Sequence, residues 1–203
     1  MAAAEHDAEA VNRSGRSGRS SGDEVVDVVV VGFGAAGSVA AIEAAEGGAV
    51  VVALDRWGRG GASARSGGVV YAGGGTPQQL RAGFHDDVDG MAASLALEEE
   101  RAPDDPRVRR FAERSAENLA WLVDHGVGFP DDFDPEKSVV PPGNSVGLYF
   151  SGNERHFGDV TPAVPRGHRV AGGGTTGPRP FGALPPAAPR GRGGARGRRP
   201  GAG

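Results

Sequence analysis

A βαβ unit is the first structure that the hydrophobic pattern of the chain predicts. Residues Val25–Val31 are almost entirely valine, and a short β-branched run of this kind predicts a strand buried on both faces. Ala35–Glu46 is rich in alanine and predicts a helix, which Gly47 would end. Val50–Leu54 predicts a second buried strand. Two such strands joined by a helix run parallel, with a right-handed crossover.

After this unit the pattern changes from regular elements to loops and separate helices. The glycine-rich stretch Arg56–Gly75 predicts an ordered loop that contains a short strand at Val69–Ala72. The stretch Phe129–Val170 contains many proline, glycine and aspartate residues and is predicted to be loop-rich. Between them, helices are predicted at Pro77–Phe84, at Asp87–Glu100, and from the N-cap pair Asp105-Pro106 to the C-cap Gly126.

The turn inside the βαβ unit carries the pattern Gly-x-Gly-x-x-Gly at Gly32–Gly37. In a dinucleotide site the first glycine permits a tight turn, Gly34 lets the backbone approach the pyrophosphate, and Gly37 lets the helix pack on the strand. The helix N-terminus offers free amides and a positive dipole end to phosphate. Asp55 ends the second strand, where an acid accepts hydrogen bonds from the adenosine ribose. The alternative is a glycine turn needed only for packing.

The loop after Asp55 favours FAD over a nicotinamide nucleotide. It contains Gly60-Gly61-Ala62-Ser63 and then Ser66-Gly67-Gly68. This arrangement resembles the flavoprotein family of fumarate reductases, succinate dehydrogenase flavoprotein subunits and 3-ketosteroid dehydrogenases. The segments Ala64–Gln79, Glu117–Phe129 and Ser145–His156 are most similar to bacterial 3-ketosteroid dehydrogenases. The resemblance covers roughly Asp23–Thr176 and implies the first third of a typical member.

The motif and the resemblance together indicate a set of cofactor-binding residues. The set comprises Gly32, Gly34, Ala35, Ala36, Gly37, Asp55, Arg56, Gly61, Ala62, Ser63, Ser66, Gly67 and Gly68. Because Arg59–Gly75 contains no histidine, the resemblance implies noncovalent FAD rather than covalent attachment. No metal site is expected, since the histidines are scattered and the chain has no cysteine. We expect His125 to interact with a helix end and Tyr149 to serve packing.

Three segments are expected along the chain. Residues 1–23 form a disordered leader, 24–176 a partial FAD-binding domain that runs into the start of a substrate domain, and 177–203 a disordered tail. The fold class is therefore α/β, an incomplete Rossmann-like FAD/NAD(P)-binding βαβ unit. The last acidic residue is Asp159, whereas eight arginines follow Pro165. That tail indicates a frameshifted or truncated gene product, and its rival interpretation is an Arg-Gly segment that binds RNA.

The function implied by the resemblance is flavin-mediated dehydrogenation next to a carbonyl, with a 3-ketosteroid as the small-molecule substrate. The alternatives are a fumarate reductase-like flavoprotein, an inactive FAD-domain fragment, or a nucleic-acid-binding protein that uses its Arg-rich ends. No nucleic-acid partner is expected, because acids flank the arginines of the leader. The apolar runs are shorter than a membrane span, so the expected location is cytoplasmic, with membrane association left open. The catalytic residues are expected beyond this chain.

Overall fold

The computed structural model describes residues 25–56, 60–102, 104–139 and 143–171. The expected leader at 1–23 and tail at 177–203 lie outside these ranges, as do the three residues Trp57–Arg59. The expected segment boundaries remain predictions.

The βαβ unit predicted from the valine runs is confirmed. Strand β1 (Val28–Val31) and strand β2 (Val51–Leu54) pair in parallel, with Val28 opposite Val51. Helix α1 (Ala35–Glu46) joins them, begins after Gly34 and ends at Gly47, whose amide donates to the Glu43 carbonyl. The glycine at each end therefore sets the helix boundaries.

The prediction that these strands are buried on both faces is wrong for the described residues. In β1 the exposure alternates, and the side chains of Val29 and Val31 are 53% and 83% exposed. Leu54 at the end of β2 is 52% exposed. Within the described ranges α1 is the helix that packs against both strands, and a single helix covers one face of a sheet.

The predicted short strand and three helices are also confirmed, with capping residues that explain their starts. A 3₁₀ helix (Gly61–Arg65) and strand β3 (Val69–Tyr71) are followed by α2 (Pro77–Arg81), α3 (Val88–Glu98) and α4 (Pro106–Asp124). Thr76 and Gln79 form a capping box at α2. Asp87 caps α3 through the Gly90 amide at 2.7 Å, and Asp105 caps α4 through the Arg107 amide at 2.9 Å.

At the other end of α4, His125 has the role expected of it. Its Nδ1 lies 2.7 Å from the Trp121 carbonyl oxygen, and its Nε2 lies 3.1 Å from a carboxylate oxygen of Glu46. The hydrogen bond with that carbonyl, supported by Glu46, raises the pKa of His125. The imidazole thus interacts with the helix end, where a cation is favoured.

A second sheet was not predicted, and three of its strands lie in the loop-rich stretch Phe129–Val170. Strands β4 (Asp132–Asp134), β5 (Val146–Tyr149) and β6 (Gly167–Arg169) lie in this stretch, and the sheet order is β3-β6-β5-β4. Strand β6 runs antiparallel to both β3 and β5, and β4 runs parallel to β5. The sheet therefore connects the glycine-rich loop, through β3, to a part of the chain nearly 100 residues later.

The core beside this sheet contains a buried ion pair. The side chains of Asp86 and Arg166 are 2% and 1% exposed, and the carboxylate accepts from the guanidinium Nη2 at 2.8 Å and Nε at 3.0 Å. It also accepts from the Gly74 amide at 2.9 Å and the Gln79 side chain at 3.1 Å. Burial alone would raise the pKa of Asp86, but the hydrogen bonds and charge of Arg166 hold it below its usual value. This carboxylate joins the glycine segment after β3 to the second sheet.

His168 on β6 is a second buried polar group in the same core. Its Nε2 lies 2.9 Å from the Thr76 hydroxyl and its Nδ1 lies 3.0 Å from the Arg166 carbonyl oxygen. The side chain is fully buried, and this burial lowers its pKa to about 4. The imidazole is therefore neutral in the folded protein at pH 7.

We predict that His168 makes the fold sensitive to mild acid. Because its folded pKa is about 4 and its unfolded value is 6.5, its stabilising contribution is present above pH 6.5 and is lost as the pH falls towards 4. Across this pH range, the pKa difference of His168 lowers the free energy of unfolding by about 3 kcal/mol. Urea unfolding at several pH values should show that His168→Gln flattens this part of the profile. An unchanged profile in the variant would exclude His168 as its source.

Candidate cofactor site

The glycine turn between β1 and α1 uses its three glycines for three different reasons. Gly32 has a φ of 93°, a conformation that favours glycine. A Cβ at Gly37 would lie 1.9 Å from the Gly32 carbonyl oxygen, so no other residue fits against the strand there. Gly34 is extended, and a Cβ there would meet its nearest neighbours at 3.7 Å. The protein alone therefore does not require glycine at position 34, and the space beside the turn stays open to a ligand.

The N-terminus of α1 offers amide donors at this turn. The Ala35 amide donates to the Ser63 hydroxyl at 3.3 Å. In the described part of the chain, no protein acceptor is hydrogen-bonded to the amides of Ala36 or Gly37. Free first-turn amides and the positive end of the helix dipole favour an anionic group such as phosphate.

The second predicted motif lies directly against the first. The Gly60 amide donates to the Phe33 carbonyl at 2.8 Å, and Gly60 has a φ of 97°. A Cβ at Gly61 would lie 3.6 Å from the Gly34 Cα, so the 3₁₀ helix begins in close contact with the turn. Two segments that the sequence analysis assigned to one cofactor are therefore brought together by the fold.

Asp55 lies at the same place, at the end of β2. Its carboxylate accepts a hydrogen bond from the Phe33 amide at 2.7 Å, across 22 residues of sequence. The carboxylate is exposed beside the turn, and Arg56 follows it, also exposed. The strand pairing thus places an acid next to the glycine turn, as the spacing predicted.

Ser66–Gly68, the last predicted motif, connects the cofactor loop to the second sheet. The Gly68 amide donates to the Ser66 hydroxyl at 3.3 Å. The Gly68 carbonyl accepts from the Val170 amide at 3.0 Å, which fixes the loop where β3 begins. Ala62, within the preceding motif, lies in the 3₁₀ helix and is exposed.

Several polar side chains of the second sheet and the loop after it make structural contacts. Tyr149 is 1% exposed, and its hydroxyl donates to the Val139 carbonyl at 3.4 Å, so its packing role is confirmed. Glu154 is 2% exposed and accepts from the Gly152 amide at 2.9 Å. Arg155 lies over the Phe150 ring at 4.2 Å. The buried Asp86–Arg166 pair and His168 could not be predicted, because the local sequence carries no signal for them.

The described residues fit the diphosphate half of a dinucleotide. They combine a glycine turn without side chains, the N-terminus of a helix, a serine hydroxyl and a carboxylate at the end of the second strand. Within the described ranges, no helix has both the length and the apolar character needed to cross a bilayer.

Comparison with known proteins agrees with this geometry. The family model described as "FAD binding domain" matches residues 27–199. The chain is 41% identical over 158 residues to 3-oxo-5-alpha-steroid 4-dehydrogenase of Comamonas testosteroni, covering 73% of this chain and 28% of that protein. It is 38% identical over 103 residues to digoxin reductase of Eggerthella lenta, covering 49% and 18%.

Solved structures show the same likeness. The 3-ketosteroid-Δ4-(5α)-dehydrogenase of Rhodococcus jostii, solved with 4-androstene-3,17-dione, superposes with a TM-score of 0.73 at 39% identity, covering 78% of this chain and 35% of that one. A flavocytochrome c3 fumarate reductase superposes with a TM-score of 0.58 at 29% identity, covering 78% and 24%. The chain therefore spans about a third or less of these relatives, and it belongs to the FAD binding domain family, with FAD as its cofactor.

Proposed function

We propose that this chain forms the adenosine diphosphate-binding part of a flavoenzyme that dehydrogenates a 3-ketosteroid next to its carbonyl group. The 41% identity to a 3-oxo-5-alpha-steroid 4-dehydrogenase carries this proposal. The Rhodococcus structure supports it independently, because the likeness extends over 78% of this chain. The substrate class is therefore a small apolar ketone, and the proposed location is the cytoplasm.

FAD, when bound, supplies the group that accepts a hydride from the substrate. In the proposed site, the glycine turn and the N-terminus of α1 bind the pyrophosphate, and Ser63 and Ser66 donate to phosphate or ribityl oxygens. Asp55 accepts hydrogen bonds from the ribose hydroxyls. The remaining cofactor contacts come from Arg56 and from the backbone of Ala62, Gly67 and Gly68. We expect noncovalent binding, since Arg59–Gly75 contains no histidine. These residues orient the cofactor; we assign none of them a proton-transfer role.

Fumarate reduction is the second candidate. The fumarate reductase structure shares the fold, but at 29% identity and a TM-score of 0.58 it is less similar than the ketosteroid enzyme. An inactive FAD-binding fragment is the third candidate. It differs from the first two in activity but not in cofactor binding.

A segment exchange tests the proposal. The matching segment of the Comamonas enzyme is replaced by residues 27–171 of this chain. We expect the chimera to retain FAD and to oxidise a 3-oxo-5α-steroid to the 4-ene product with an artificial electron acceptor, measured by chromatography. A chimera that binds FAD but reduces only fumarate would favour the second candidate. A chimera that folds without FAD would contradict the proposed cofactor contacts.

Asp55 provides a prediction about the ribose contact. Asp55→Ala should weaken FAD binding by about 1–3 kcal/mol, because a charged hydrogen-bond acceptor is lost. Asp55→Asn should cost less, since its amide oxygen can still accept from the Phe33 amide and preserve the turn. Flavin fluorescence titration measures both affinities. Equal affinity in Asp55→Ala and the parent chain would place the ribose contact elsewhere.

A further inference from the structure

A separate cavity of about 500 Å³ lies between α3, α4 and the second sheet. Its volume is in the range of small-molecule sites. Leu95, Val108 and Phe111 are apolar residues of its lining, and Tyr71 and Gly152 line it as well. None of these residues belongs to the cofactor set, so the cavity is distinct from the dinucleotide site.

The charges around this cavity are unequally compensated. Arg101 pairs with Glu99 at 3.5 Å and with Asp105 at 3.4 Å, and Arg107 pairs with Asp105 at 2.8 Å. Glu98 also lines the cavity, but it has no ion pair with any residue in the described part of the chain. The charge that a ligand would meet without a counter-ion is therefore negative.

The position of Glu98 strengthens this asymmetry. A Cβ at Gly152 would lie 3.3 Å from a Glu98 carboxylate oxygen, 3.3 Å from the Tyr71 ring and 3.4 Å from the Glu154 carboxyl carbon. Two carboxyl groups and an aromatic ring thus surround one glycine at the cavity wall. Burial raises the pKa of Glu154, and Glu98 adds to that rise through like-charge repulsion, which the nearby Arg166 opposes.

We propose that this cavity binds a small organic cation, an ammonium group carried on an apolar ring, with Glu98 as its counter-ion. The ring fills the space between Leu95, Val108 and Phe111. The ammonium group lies against Glu98 and the Tyr71 ring, since aromatic rings attract cations. A cation also relieves the repulsion between Glu98 and Glu154. This site is independent of the proposed steroid chemistry.

The test uses the full 203-residue chain and three probes that share a phenyl ring. The probes are 2-phenylethylammonium, the neutral 3-phenylpropanol and the anionic 3-phenylpropionate, and calorimetry measures their affinities. We expect the ammonium probe to bind most tightly. Glu98→Gln should weaken its binding at least about fivefold, which corresponds to the loss of a modest ion-pair contribution.

Glu99→Gln is the matched control, because Glu99 is adjacent to Glu98 but already pairs with Arg101. It should change the affinity for the ammonium probe less than about twofold. FAD affinity should stay unchanged in both variants, which separates this proposal from the cofactor site. Equal binding of the ammonium and alcohol probes, tighter binding of the anion, no binding of the ammonium probe, or no effect of Glu98→Gln would each overturn the proposal.

Discussion

Gly34→Val is expected to abolish FAD retention while leaving the fold intact. Gly34 has a φ of −79° and a ψ of −166°, an extended conformation that valine adopts readily. The nearest protein atoms to a Cβ at this position are the Gly60 carbonyl oxygen and the Ser63 hydroxyl, both at 3.7 Å. The side chain therefore projects beside the phosphate-binding amides. It should exclude the pyrophosphate and lower FAD affinity more than about 100-fold, or roughly 3 kcal/mol.

Flavin fluorescence titration measures the loss of FAD affinity, and thermal unfolding measures whether the fold stays intact. Gly47→Ala is the control, because it lies at the opposite end of α1, outside the site, with a φ of −66°. It should retain both FAD and stability. Gly37→Ala should instead unfold the unit, since its Cβ would overlap the Gly32 carbonyl. Retention of FAD by Gly34→Val would show that the phosphates bind elsewhere.

The sequence could predict this site because its geometry is local. The strand, glycine turn, helix and second strand follow one another from β1 to β2, and each has its own residue signal. The contact between Gly34 and Gly61 could be expected only from the family resemblance, since the spacing of glycines does not fix where a loop lies. The structure brings these segments together through the Gly60–Phe33 and Ala35–Ser63 hydrogen bonds.

The second sheet could not be predicted because its geometry is not local in the sequence. Strands β4 and β6 have three residues each, and β6 contains a histidine and an arginine that usually favour exposed positions. Their conformation depends on pairing, and Val70 lies opposite His168 across 98 residues of sequence. A pattern of hydrophobic and polar positions within β6 itself contains no information about that partner.

The buried polar groups follow from the same long-range pairing. Arg166 and His168 enter the core because β6 lies between β3 and β5, and each finds its partner there. Arginine and histidine are rarely buried without such partners. Thr76, the partner of His168, forms a capping box with Gln79. That sequence signal predicts a helix start but not a contact with β6.

Asp86→Ala should cause a large loss of stability in the core beside the second sheet. The substitution leaves the Arg166 guanidinium buried without its counter-ion, and it removes the acceptor used by the Gly74 amide and the Gln79 side chain. Breaking a buried pair from one side costs about 3–5 kcal/mol. This is a large share of the total stability of a small domain, about 5–15 kcal/mol.

The control for this variant is Asp89→Ala, three residues along. Asp89 also pairs with an arginine, Arg109, but its side chain is 81% exposed, so its loss should cost less than about 1 kcal/mol. Urea unfolding followed by tryptophan fluorescence measures both variants. The double variant Asp86→Leu with Arg166→Met should recover part of the loss, because it removes the unpaired charge. If Asp86→Ala costs no more than Asp89→Ala, the Asp86–Arg166 pair does not hold the glycine segment to the second sheet.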